Sequence, residues 1–163
     1  MAKDKKTVTN AMRLLSAAKI DYETVEYEAD EVGEHFGEAI ARLTGIPPEK
    51  SFKTLVLRGD KSGIIVACVP VKCEVDLKKA AKASGNKKVE MTHVKELLAL
   101  TGYIRGGVSP VGMKKKYPTY IDKSAEDFDT IAISGGKCGC TLLLVPSDVR
   151  KATDCEFVDI IRN

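Results

Sequence analysis

Lys53 is the side chain whose surroundings in the sequence most need an explanation. It lies in the run Phe52-Lys53-Thr54-Leu55-Val56-Leu57. The two-residue alternation of a strand puts Lys53 on one face with Leu55 and Leu57, and Phe52, Thr54 and Val56 on the other. An ammonium on an apolar face is costly unless a carboxylate or an anionic ligand such as a phosphate meets it. The competing reading is a strand-end lysine that snorkels to water, and these residues alone leave both open. Two glycine-rich turns follow, GGVSPVG from Gly106 to Gly112 and SGGKCG from Ser134 to Gly139. Such turns let the main chain approach a ligand closely, and their N–H groups can bind an anion or polarise a carbonyl. Neither has the glycine spacing of a nucleotide- or dinucleotide-binding loop, and a plain tight turn explains either equally well.

Other reactive residues point less clearly. Cys138 and Cys140 are one residue apart, but no His or Cys completes a zinc spacing, so no metal site is expected. Cys68 and Cys155 sit in strand-like runs and read as small buried hydrophobes. The two histidines, His35 and His93, have no nucleophile beside them in sequence, and a Cys-His or Ser-His-Asp device is not expected. The run Lys114, Lys115 and Lys116 before Tyr117 and Pro118 suits a nucleic-acid phosphate edge or a solvated face.

The elements that must hold these residues can be read from periodicity. Val8, Ala11, Met12, Leu15 and Ala18 have helical spacing behind a Thr7 cap, and Tyr22 to Glu28 alternates as a half-exposed strand. Phe36, Ile40 and Leu43 return to helix, stopped by Gly45 and by Pro47-Pro48. Ser51 to Arg58 and Ile64 to Val69 form a hairpin about GDKSG. Asp76 caps a helix ended by Gly85, a short strand follows at Lys87 to Met91, and Thr92 caps a helix ended by Gly102. Strands are expected at Thr119 to Asp122, Ile131 to Ser134 and Thr141 to Val145. A short helix capped by Ser147 and a last strand from Glu156 to Ile161 complete the chain. Helices interspersed with strand hairpins imply an α+β fold with a mixed sheet.

Composition sets the outer bounds. With 44% hydrophobic and 30% charged residues, the chain has the balance of an ordinary globular protein. No linker or repeat interrupts it, and one domain over residues 1–163 is expected. The net charge of +3, with acids and bases interspersed, argues against a general nucleic-acid field but allows a local basic patch. Five cysteines without a C-x-x-C pair suit a reducing compartment, and no apolar stretch resembles a signal peptide or membrane span. A cytoplasmic protein is expected, with neither a membrane nor DNA as partner.

FKTLV from Phe52, DLKKAAKASGNKKVEM from Asp76, TGYIRGGVSPVGMKKKYPTYID from Thr101 and ISGGKCG from Ile133 occur in this order and spacing. Together they resemble the YbaK/EbsC family, bacterial deacylases of misacylated transfer RNA related to the editing domain of prolyl-tRNA synthetases. The resemblance implies a mixed, barrel-like sheet flanked by helices, with a pocket for the terminal adenosine and its esterified amino acid. In that pocket Lys53 matches the essential lysine that contacts phosphate or ribose, and Gly106 and Gly107 belong to the loop beside the ester. Tyr27, Phe36, Thr54, Ser109 and Pro110 match substrate-binding positions, as do Ser134, Gly135, Gly136 and Lys137 on the opposite wall. Two positions depart from the pattern: Cys138 stands where the family turn has an arginine, and Thr141 where it has an aspartate. The implied activity is trans-editing of Cys-tRNA(Pro), extending to Cys-tRNA(Cys), with the substrate's own thiol attacking the ester and no cofactor or metal. The implied partners are the acceptor end of the tRNA, touched by Lys114 to Lys116, and a transiently bound prolyl-tRNA synthetase. Deacylation of another small amino acid such as alanine, or a non-catalytic tRNA-end or nucleotide-binding module, are the alternatives.

Overall fold

The computed structural model of the chain describes residues 8–28 and 36–163, with backbone alone at 36–38. His35 and the expected cap Thr7 lie outside the described residues, as does the side chain of Phe36. Helix α1 spans Asn10–Ala17; Thr9 caps it, its hydroxyl accepting the Met12 N–H at 3.2 Å, and Ala11, Met12 and Leu15 are buried. Strand β1 covers Glu23–Glu26 and helix α2 Phe36–Thr44. Strands β2 (Phe52–Gly59) and β3 (Gly63–Pro70) form the expected hairpin, in register from Phe52 opposite Pro70 to Gly59 opposite Gly63. Helix α3 spans Leu77–Ser84. Asp76 accepts the N–H groups of Lys78 and Lys79 at 2.9 and 3.1 Å, and Gly85 ends the helix at φ 76°, where a Cβ would be strained.

The second half of the chain adds β4 (Val89–Met91), α4 (Leu97–Thr101), β5 (Thr119–Asp122), β6 (Ile131–Ser134), β7 (Cys140–Leu144), α5 (Pro146–Thr153) and β8 (Glu156–Val158). Two expected caps take other roles. Thr92 does not cap α4: a single 3-10 turn at Val94–Glu96 intervenes with His93 before it, and the Thr92 hydroxyl donates to the Val56 carbonyl at 2.9 Å. Ser147 lies inside α5, which starts at Pro146 behind Val145; proline suits a first helical position, where its missing N–H leaves nothing unpaired.

The larger sheet has the order β4-β2-β3-β5-β8, antiparallel through the hairpin and parallel from β3 to β5 and from β5 to β8. The smaller sheet, β1-β7-β6, is antiparallel. A parallel bridge between Ser51 and Ala132 joins the two sheets, which do not close into a barrel. The expected mixed α+β architecture therefore stands, its strands distributed over two bridged sheets.

Both faces of β2 and β3 are covered. Phe52, Val56, Val66 and Cys68 pack with Leu15, Ile121, Ile133 and Leu142 in one core, while Leu57, Ile65, Ala67 and Val69 pack with Ala80, Ala81 and Ile160 in the other. Burial on both sides explains the near-continuous apolar run of β3, where simple alternation would fit a half-exposed strand. Each fully buried leucine or isoleucine here contributes about 1.5–3 kcal/mol of transfer free energy. Among the described residues β4 meets β2 at Leu57, Arg58 and Gly59 alone, so that, of these residues, none forms a strand pair along the outer side of β2 from Lys53 to Val56.

Candidate functional site

A cleft of about 1280 Å³ runs along that unpaired edge and takes lining residues from both of its faces. Lys53, Thr54, Leu55 and Val56 form its floor, Ile133, Ser134 and Thr141 of β6 and β7 one wall, and Met91, Thr92, Val94 and Leu97 another. The mouths of the two glycine-rich turns contribute Arg105, Gly106, Cys138 and Gly139.

Lys53 stands opposite Val69, on the face it shares with Leu55 and Leu57. It is partly exposed, and it makes no hydrogen bond or ion pair with any described residue. The structure thus combines the two sequence readings: the lysine starts from an apolar face but reaches open space, and that space is the cleft. Thr54, next along the strand, faces the other way, its hydroxyl 3.7 Å from the Cys68 thiol.

The glycine-rich turns pack directly on each other. A Cβ on Gly107 would lie 2.9 Å from the Lys137 Cα and carbonyl carbon and 3.0 Å from the Cys138 nitrogen, so only glycine lets the two backbones come this close. The Cys138 thiol adds a contact of 3.5 Å to the Arg105 carbonyl. Both turns are tied to the start of α1: the Thr9 hydroxyl donates to the Gly135 carbonyl at 2.6 Å and the Asn10 side-chain amide to the Gly112 carbonyl at 2.5 Å, while Tyr103 braces the first turn by donating to the Val111 carbonyl at 2.6 Å. Gly136 sits against the Tyr103 ring and Thr9, with a φ of 94°. One amphipathic helix thereby fixes both turns at the end of the cleft.

Backbone donors are distributed unequally. The Gly107 N–H is engaged by the Ile104 carbonyl at 2.9 Å, so this residue offers close packing and no donor to a ligand. Of the expected pair, Gly106 alone lines the cleft, and Gly107 holds the loop against the second turn. Gly106, at φ 90°, lines the cleft, and no acceptor among the described residues takes its N–H. Ser109 and Pro110 are buried and do not line the cleft; the Ser109 hydroxyl accepts the Val111 N–H at 3.2 Å and so shapes the turn from behind. Gly135 and Gly136 use their N–H groups on the Cys140 carbonyl and the Ser134 hydroxyl.

Tyr27 and Thr141 meet across the β1/β7 end of the cleft, and the Tyr27 N–H bonds the Gly139 carbonyl at 3.0 Å. Burial pushes the Tyr27 phenol above its ordinary value of 10.0, against the opposing effect of hydrogen bonding with the Thr141 side chain and the Gly139 backbone. It therefore acts as a neutral hydrogen-bonding group. The buried Cys68 thiol is pushed up to about 12 by desolvation, and Cys140 and Cys155 are raised by the same cause. None of the three offers a ready thiolate at neutral pH. Only Cys73 and Cys138 among the five cysteines line the cleft.

The basic run lies outside the cleft lining. Lys114, Lys115 and Lys116 are exposed; Lys114 lies over Gly102 at the end of α4, and Lys116 pairs with Asp154. Sequence reasoning did not single out Arg105, which is exposed and lines the cleft. Its place immediately before the glycine pair was the available signal. Lys72, Cys73 and Glu74, beyond β3, are further lining residues without a readable motif. Among the described residues no helix is long and apolar enough to cross a membrane.

An α+β fold with a cationic side chain at an open strand edge, faced by two interlocked glycine-rich turns, defines a cleft suited to a polar or anionic ligand. The chain belongs to the aminoacyl-tRNA editing domain family, whose model matches residues 32–152. It is 47% identical over 162 residues, covering 98% of both chains, to a protein of Enterococcus faecalis (strain ATCC 700802 / V583) named as the Cys-tRNA(Pro)/Cys-tRNA(Cys) deacylase EbsC. Its fold is shared by several solved structures, among them these two. One, described as a trans-editing enzyme for prolyl tRNA synthetase, superposes with a TM-score of 0.82 at 24% identity, covering 96% of this chain and 99% of that one. The other, the hypothetical protein APE2540, gives 0.83 at 20% identity, with 94% and 99% covered.

Proposed function

We propose that this chain is a trans-acting aminoacyl-tRNA deacylase that cleaves the ester of Cys-tRNA(Pro) and of Cys-tRNA(Cys). The observation that carries this reading is Lys53, an ammonium without a partner among the described residues, on the floor of a cleft walled by both glycine-rich turns. The 47% identity to a protein named for that activity supports the substrate assignment. Lys53 binds the phosphate or ribose of the terminal adenosine, a task for a compact point charge. Tyr27, Thr54, Ser134 and Thr141 line the cleft around the esterified amino acid.

The nucleophile comes from the substrate. The cysteinyl sulfur attacks its own carbonyl carbon, the bond from that carbon to the ribose oxygen breaks, and the ribose oxygen takes the proton the thiol gives up. The product is a cyclic thiolactone that water then opens. Holding sulfur and carbonyl in one bound conformer supplies the effective concentration of an intramolecular reaction. The Gly106 N–H, which no acceptor among the described residues takes, is the proposed donor to the developing oxyanion.

Prolyl-tRNA synthetase is the proposed transient partner, because a domain of this size has little surface with which to read a whole tRNA, and the cytoplasm is the proposed compartment. Thr141 favours a second reading: a neutral hydroxyl at this wall, in place of the acid of the family pattern, alters the pocket, and another small amino acid such as alanine is then the substrate. A panel of Cys-, Ala-, Ser- and Pro-tRNA, with and without prolyl-tRNA synthetase, decides. Rapid release of cysteine alone is expected; equal release of alanine moves the assignment to the second reading, and release from none refutes a deacylase.

A further inference from the structure

The free edge inside the cleft has a definite polar pattern. In the hairpin the Ser51 carbonyl accepts the Val71 N–H at 2.8 Å, whereas Val66, opposite Val56, gives its N–H to the Pro118 carbonyl at 2.9 Å. Alternation therefore turns the backbone groups of Thr54 and Val56 away from β3, towards the cleft. The Val56 carbonyl is occupied there by the Thr92 N–H at 3.2 Å and hydroxyl at 2.9 Å. The next two groups, the Val56 N–H and the Thr54 carbonyl, face no paired strand, and no loop or side-chain group among the described residues bonds them. Val56 is only 2% exposed, and a buried backbone donor without an acceptor is rare in a folded protein.

The flanks of this edge are apolar. Met91 pairs with Leu57 and so stands on the α3 side of the sheet, while Leu97 packs against the opposite core; both line the cleft together with Val94. Met91 and Val94 are 49% and 55% exposed and line the cleft. A flat ring moving edge-on towards β2 would have Met91 towards one face and Leu97 towards the other.

We propose that this edge reads the adenine of the terminal adenosine: the exocyclic amino group donates to the Thr54 carbonyl, and the Val56 N–H donates to the ring nitrogen beside it. In an extended chain the carbonyl of one residue and the N–H of the second residue after it lie on the same side. That pair complements the adjacent donor and acceptor of the adenine edge, and the apolar side chains hold the ring faces. The proposal rests on the deacylase reading and adds a base-recognition element, supplied by main chain, to the phosphate or ribose contact of Lys53.

Two measurements test it. In an amide NMR titration of the wild-type chain with adenosine 5′-monophosphate, the Val56 amide should shift strongly, and the analogue lacking the adjacent ring nitrogen should leave it in place. In deacylation, Cys-tRNA ending in purine riboside or in 1-deazaadenosine should lose about tenfold in kcat/KM for each missing hydrogen bond, and 3-deazaadenosine, altered on the far side of the ring, should not. Replacing the Val56 amide by an ester should abolish the discrimination against 1-deazaadenosine. An unmoved Val56 amide at saturating nucleotide, or analogue rates within about twofold of adenosine, overturns the proposal. A shifted Val56 amide in a protein that releases no amino acid supports base recognition and refutes the deacylase reading instead.

Discussion

Gly107→Ala is the sharpest test of how the cleft is built, because it perturbs packing without straining the backbone: Gly107 is not among the positive-φ glycines. The new methyl would sit 2.9 Å from two Lys137 backbone atoms, and ordinary contact begins at 3.4 Å, so the turns must part by about 0.5 Å. Those atoms are main chain and cannot swing aside as a flexible side chain would. Overpacking of this kind costs about 1–3 kcal/mol, which for a domain of this size lowers Tm by roughly 2–12 °C. The larger effect should be on chemistry: a shift approaching 1 Å in a positioning element can cost on the order of 100-fold in rate. The expected result is a folded protein whose kcat for Cys-tRNA falls at least about tenfold. Gly85→Ala is the matched control, with φ 76° and nothing within 4 Å, and should lose about 1 kcal/mol of stability but no activity. Thermal melting with single-turnover deacylation reads both variants. Wild-type Tm and rate in Gly107→Ala would refute the interlocked turns as the support of the site.

Lys53→Ala should abolish deacylation while leaving the melting transition intact, because no described residue pairs with the ammonium; Lys53→Arg should also fail, its planar fork being larger. Iodoacetamide at pH 8 should label Cys73 and Cys138 in the folded protein and spare Cys68, Cys140 and Cys155, whose burial raises their thiols; Cys138→Ser should stay active and release a thiolactone first. Trapping of an aminoacyl-enzyme on Cys138 would overturn attack by the substrate's sulfur. Neutralising Lys114, Lys115 and Lys116 together should weaken tRNA binding and flatten its dependence on salt; an unchanged slope returns the run to a solvated surface. Glu96 is held at about 2 by hydrogen bonds from Arg58, 2.6 Å away, and from the His93 backbone. Its folded value lies below the unfolded 4.5, so its stabilising effect is complete above that pH and is lost as pH falls towards about 2. Glu96→Gln should flatten acid unfolding across that window, as followed by circular dichroism.

Local physics made much of the fold legible in the sequence. Asp76 and Gly85 bound a helix through one side-chain acceptor and one left-handed residue, both properties of single residues. Thr119–Asp122 and Ile131–Ser134 have the expected ends because β-branched runs between turn residues have few other choices. The caps assigned to Thr92 and Ser147 failed where a tertiary contact or a neighbouring proline outweighed propensity. The family pattern located Lys53, Thr54, Gly106 and Thr141, all of which line the cleft. Nothing local could reveal that the pairing of β4 with β2 stops at Leu57 and leaves the edge that becomes the cleft floor. Equally silent in sequence is the contact of Gly107 with Lys137 and Cys138, thirty residues downstream. Alternation shows which residues share a face, but which strand covers that face depends on how all apolar faces are buried together, and that free energy belongs to the whole chain.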